Sequence, residues 1–174
     1  MTAFLDNNIR IMRKRIFVTA VAAAGVLMGS ALFVLAQQAG QRVTPAEVKW
    51  PSGPSSTVGT SGAAGIETVI LKGDPQKAGL YTMLLRVGPN TKIDAHAHPD
   101  DRVGTVVSGT WYFGYGRGFN EAGLKALPAG SFYTEPPNID HFAMTRAEGV
   151  VLQVTGVGPS ATTYVDPAKD PTRR

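Results

Sequence analysis

The stretch Asp94-Ala95-His96-Ala97-His98-Pro99-Asp100-Asp101-Arg102 decides how this chain is read. The protein has three histidines, and two of them stand here in an H-x-H pair. On an extended strand successive side chains point to opposite faces. His96 and His98 therefore share a face with Asp94, while Ile93, Ala95 and Ala97 form the apolar opposite face. The third histidine, His141, arrives from a distant segment, Asn138-Ile139-Asp140-His141-Phe142. Two imidazoles on one strand face, met by one from elsewhere, make a metal site. The bland alternative is three histidines that pack and hydrogen-bond at a barrel mouth.

Outward from that stretch, composition narrows the fold. The chain has 174 residues, 43% hydrophobic and 17% charged, which suits one globular domain with some additional chain. Twenty glycines and twelve prolines imply many turns and favour an all-β domain. The absence of cysteine excludes disulfides, thiolate ligands and a cysteine nucleophile. The net charge of +4 is misleading, because Arg10, Arg13, Lys14 and Arg15 face only Asp6 within residues 1–36. The remainder is nearly neutral and has no basic run, so it lacks the electrostatic footprint of a nucleic-acid binder.

Residues 1–36 read as an export signal. Arg13-Lys14-Arg15 precedes an apolar run that closes on Val34-Leu35-Ala36, small or modest residues of the kind a signal peptidase accepts. A retained membrane anchor is the rival, since about 20 apolar residues can span a bilayer. Either reading places the remainder outside the cytoplasm, in the periplasm or beyond it. Residues 37–65 lack periodicity and are rich in turn formers, as a linker or an N-terminal arm laid on the domain would be.

From residue 66 the pattern is short strands between breakers, predicted at 66–71, 80–87, 92–98, 103–108, 110–115, 130–134, 141–145, 150–156 and 162–165. Such a series, ending near residue 166 with a short tail at 167–174, implies a sandwich or small barrel. Residues 121–127 sit between strands as a decorated hairpin loop. Trp111, Phe113 and Tyr115 share a strand face and read as core or interface, with Tyr112 on the other face. Gly114-Tyr115-Gly116-Arg117-Gly118 opens no helix and is not a nucleotide loop. Asp140 and Asp94 are both available to orient an imidazole. No Ser-His-Asp set stands out.

These residues resemble the cupin family. Gly88, His96, His98, Arg102 and Gly109 fall on the frame of its first motif, with a lead-in from Gly88 two residues longer than usual. Pro128-Ala129-Gly130 and His141 match the second, although the loop between them is longer and the trailing Asn is missing. The resemblance covers about residues 80–158. It implies an antiparallel double-stranded β-helix, the jelly-roll barrel, with a metal inside. Carried over by position, His96, His98 and His141 are three of the usual four ligands. The fourth, ordinarily Glu, is Arg102 here, and a guanidinium offers only donors. A three-histidine centre completed by water, a substitute carboxylate from Asp100, Asp101 or Glu135, a role for Gln153, and loss of metal with Arg102 holding an anion all stay open.

The resemblance thus implies an exported single-domain cupin that binds a divalent transition metal, zinc, iron, manganese, nickel or copper, and acts on a small organic molecule as dioxygenase, isomerase, lyase or hydrolase. Arg102 and Tyr112 are the candidates to orient an anionic or enolisable substrate; Tyr112 and Tyr133 qualify only if their phenols face the histidines. The alternatives are a non-catalytic small-ligand binding or sensing module and a purely structural domain. Expected partners are a small-molecule ligand and, in a homodimer, a second copy; contact with a membrane would come only through residues 1–36.

Overall fold

Alternation of apolar and polar residues, broken at turns, produces ten strands among the described residues. They are β1 (Ile66–Lys72), β2 (Gly79–Val87), β3 (Lys92–Ala97), β4 (Arg102–Ser108), β5 (Thr110–Tyr115), β6 (Lys125–Pro128), β7 (Phe132–Glu135), β8 (His141–Met144), β9 (Val150–Gly158) and β10 (Thr163–Tyr164). The computed structural model describes residues 40–55 and 57–173. The expected export segment lies outside the described residues. Among those residues no helix is long and apolar enough to cross a membrane.

Two five-stranded sheets form, ordered β1-β2-β9-β4-β7 and β10-β3-β8-β5-β6, with antiparallel pairing throughout. Strand β9 shows why the sheets face each other. Val150, Leu152 and Val154 are buried while Gln153 between them is exposed, the period-2 signature of a strand with one face in a core. Tyr81, Met83, Leu85 and Val87 of β2 and Trp111 and Phe113 of β5 join that core from the two sheets. The fold is the all-β, two-sheet jelly-roll barrel expected from the sequence.

Three local differences bear on the site. Residues 121–127 do not remain a loop: a 3-10 turn at Glu121–Gly123 leads into β6, where Leu127 pairs with Trp111 and enters the core. The segment is too short to show alternation, so only tertiary pairing reveals the strand. Second, β3 carries a register irregularity between Ile93 and His96. A residue inserted into one strand shifts the parity of all later residues in that strand. Ile93 and His96 therefore both face inward, and Asp94 pairs outside with Lys92 at 3.2 Å. The expectation that Asp94 shares the histidine face, with Ile93 opposite, is corrected by that irregularity.

Third, the described residues from 43 to 65 form a packed arm, within a compact unit of Val43–Arg174. The Arg86 guanidinium lies 4.5 Å from the centre of the Trp50 ring, and the Ser55 amide donates to the Ile66 carbonyl at 3.0 Å. Thr60 and Ser61 are buried.

Candidate metal centre

The histidines meet because β3 and β8 are paired: His96 and His141 are direct cross-strand partners, and His98 stands immediately after β3. All three are buried, and one ligand atom from each lies within 4.8 Å of the others. Each ring is held by a backbone carbonyl. His96 Nδ1 lies 2.8 Å from the Asp94 oxygen, His98 Nδ1 2.6 Å from that of Ala161, and His141 Nδ1 3.0 Å from that of Ile139. A carbonyl can only accept, so each Nδ1 carries the proton and each Nε2 presents a lone pair. His98 Nε2 and His141 Nε2 are buried without a hydrogen-bond partner. Unsatisfied buried polar atoms are costly. A cation at their meeting point satisfies them.

Electrostatics keep the His96 and His98 rings neutral. Burial, reinforced by His141, pushes the His96 imidazole down to about 3. Burial and the Arg102 charge push His98 well below the ordinary histidine value. A neutral imidazole is the form that ligates a metal.

The facing sheet supplies a charged pair. Arg102 on β4 and Glu135 on β7 are cross-strand partners, both buried, with Arg102 Nε donating to Glu135 Oε2 at 2.5 Å. That carboxylate oxygen lies 3.7 Å from His98 Nε2 and from His141 Nε2. Burial opposes ionisation of Glu135, but the Arg102 charge outweighs it and holds the carboxyl below its ordinary value. Arg102 also donates Nη1 to the Gly59 carbonyl. Of the substitutes open for a fourth ligand, Glu135 alone stands at the cluster. Asp100 is taken by the Tyr81 hydroxyl at 2.6 Å and the Ser160 hydroxyl at 2.7 Å, Asp101 is exposed, and Gln153 faces outward.

A cavity of about 30 Å³ adjoins the histidines. About 10–15 Å³ holds one water, so the chamber as it stands takes only a small group. Trp111, Phe113, Tyr133, Glu135 and Arg102 line it with His96 and His141, and Thr60 and Ser61 of the arm complete it. Phe113 stacks against His141 at 5.4 Å between centroids. Gly104 lies opposite Tyr133, where any Cβ would overlap the phenol ring, so the absent side chain lets that ring lie on the sheet. The Trp111 indole N–H is buried with no acceptor. It is a free donor on a residue of the chamber wall.

Two sequence expectations are revised. Tyr112 is on the outer side of β5, its ring 4.7 Å beneath the Arg146 guanidinium, because side chains alternate and Trp111 and Phe113 occupy the inner face. It does not meet the histidines; Tyr133 does line the chamber. Asp140 pairs with Arg117 at 3.5 Å, and the carboxylates expected to orient the imidazoles are replaced by main-chain carbonyls. In the sequence Trp111 reads only as core or interface, and nothing in the pattern marks its indole as unpartnered. Thr60, Ser61, Thr162 and Tyr164 give no signal at all.

No family model and no curated protein matches this sequence. Solved structures do match. The polyketide cyclase RemF from Streptomyces resistomycificus is 18% identical, with a TM-score of 0.59 over 78% of this chain and 94% of that one. The DMSP lyases RdDddP and RnDddQII give 21% identity and a TM-score of 0.51 over 68% and 62%. An RmlC-like cupin from Shewanella frigidimarina NCIMB 400 is 20% identical over 70% and 93%, with a TM-score of 0.49. These likenesses concern the fold alone, an all-β barrel of two antiparallel sheets.

Proposed function

We propose that this chain is an exported single-domain cupin that holds a divalent transition metal on His96, His98 and His141 and acts on a small organic molecule. The observation that carries this reading is the set of three carbonyl-fixed rings whose Nε2 atoms converge in a buried site. Zinc, iron, nickel and copper suit imidazole donors, and manganese would draw on the carboxylate beside them. A bound metal would supply Lewis acidity or, with a redox-active ion, oxygen chemistry. The chain's own groups do the remainder. Glu135 stands beside the ligand atoms as further ligand or proton acceptor, Arg102 keeps it ionised, the aromatic wall excludes water, and Trp111 Nε1 offers a donor to a substrate oxygen. Cyclase and lyase activities of the fold relatives support an enzyme acting on small molecules.

A non-catalytic ligand-binding role is the second reading, and the small chamber favours it. Metal analysis by mass spectrometry on protein prepared without chelator or nickel resin tests the shared premise. About one equivalent is expected, lost on His98→Ala; a metal-free protein that cannot be refilled contradicts both. Turnover of enolisable carbonyl compounds by the loaded protein then separates catalyst from binder.

The basic and apolar pattern of residues 1–36 supports export, which fractionation and the mass of the mature chain would check. A homodimer is supported by the outer face of the β1-β2-β9-β4-β7 sheet. Leu80, Val103, Val107, Phe132 and Val157 are exposed there, an apolar surface that a second copy would cover. Light scattering giving twice the chain mass is the expected result.

A further inference from the structure

One side of the chamber is lined by Thr60 and Ser61, within residues 57–62, which belong to no strand of either sheet. Their internal bonds are those of a single turn: the Thr60 amide and hydroxyl both donate to the Thr57 carbonyl, at 3.0 and 2.8 Å. Three consecutive main-chain oxygens of this strap are fixed by barrel side chains. Arg102 Nη1 donates to Gly59, Thr162 Oγ1 to Thr60 at 2.8 Å, and the Tyr164 hydroxyl to Ser61 at 2.7 Å. Gly59 within the strap, Gly62 at its end and Gly65 beyond it have φ of 82°, 69° and 84°, a region other residues rarely adopt.

Each of the three donors also touches the histidine centre. Arg102 holds Glu135. The Thr162 hydroxyl lies 3.3 Å from His98 Nδ1. The Tyr164 ring stacks on His96 at 5.2 Å between centroids and 29°. A strap whose only purpose is cover has no need for every fastening to rest on a different group of the site. We propose that residues 57–62 are the gate of the chamber, and that Arg102, Thr162 and Tyr164 are positioning residues coupling its closure to the placement of Glu135, His98 and His96. This rests on the metal-site reading above. A metal that orders the centre then fixes the strap, and by linkage a fixed strap retains the metal. Exchange of metal or substrate passes through the released strap, which also reconciles a chamber of about 30 Å³ with a multi-atom ligand.

The test uses the full chain with Co²⁺ alone as probe. Hydrogen exchange of residues 57–62 is measured with and without the metal, and Co²⁺ release to excess chelator is timed. Tyr164→Phe removes one fastening hydroxyl and keeps the ring on His96. One lost hydrogen bond is expected to speed release up to about tenfold. Gly59→Ala, whose Cβ would lie 2.5 Å from Ser160 Oγ, is expected to hold the strap off and give the faster exchange of the two. Arg102→Lys keeps a cation beside Glu135 but cannot span to the strap, so it should hasten release. The proposal is overturned if wild type binds one Co²⁺ and yet strap exchange is the same in both states, with release unchanged in Tyr164→Phe and Gly59→Ala. Failure of the wild type to bind Co²⁺ overturns the metal-site reading, and this inference with it.

Discussion

The two sheets contribute to the centre in different ways. The β10-β3-β8-β5-β6 sheet and the residue just after β3 provide three imidazoles, each oriented by a main-chain carbonyl. The β1-β2-β9-β4-β7 sheet provides one ion pair, Arg102 and Glu135, oriented by each other and by the strap. Main-chain orientation tolerates substitution of neighbouring side chains, whereas a side-chain pair fails when either member changes. The first sheet thus fixes what is held, and the second adjusts the charge around it.

The largest effect that would break this division is on the imidazole side. His98→Ala or His141→Ala should lower metal affinity by more than about 100-fold, exceeding the 10–100-fold typical of supporting partners, as read by competition with a coloured chelator. On the other sheet, Glu135→Gln leaves the Arg102 charge buried without its counter-ion. Such a loss costs about 3–5 kcal/mol, while replacing both partners with apolar residues is often neutral. Urea unfolding should show the single variant strongly destabilised and Arg102→Met with Glu135→Met largely recovered. Equal loss in single and double variants would mean that the pair matters for shape and not for charge.

A third prediction concerns pH. His96 and His98 titrate lower in the folded chain than when unfolded, so the unfolded state binds more protons below the ordinary histidine value. Stability of the metal-free protein must therefore fall as pH drops from about 6.5 towards 3. His96→Asn should flatten that fall in melting curves. Trp111→Phe should leave metal affinity unchanged while removing a buried donor that has no acceptor. A small-molecule ligand that binds wild type about tenfold better than this variant would identify the indole as its partner. The smallest effect is expected of Tyr112→Phe, within about 0.5 kcal/mol in stability and with metal content unaltered. Its ring lies outside.

Much of the β10-β3-β8-β5-β6 contribution is legible in the sequence. The H-x-H pair and His141 are local signals whose residue types announce ligation, and strand alternation implies the two sheets. Alternation misplaces Asp94 because one irregularity in β3 reverses the parity that it assumes. The opposite sheet is less legible. Arg102 stands out as an anomaly, but its partner Glu135 depends on the β4–β7 register, which no local pattern specifies. The strap is least legible, since its fastenings are main-chain oxygens and any residue type supplies those.

The central claim is that three histidines, fixed in one tautomer, present Nε2 to a common point. Long-range ¹H–¹⁵N correlation on the metal-free protein at neutral pH tests it directly. The account predicts that His96 and His98 are neutral, that all three rings carry a proton on Nδ1, and that one equivalent of Zn²⁺ shifts all three Nε2 signals together. A ring found charged or protonated on Nε2, or Zn²⁺ leaving any of the three unmoved, would contradict it.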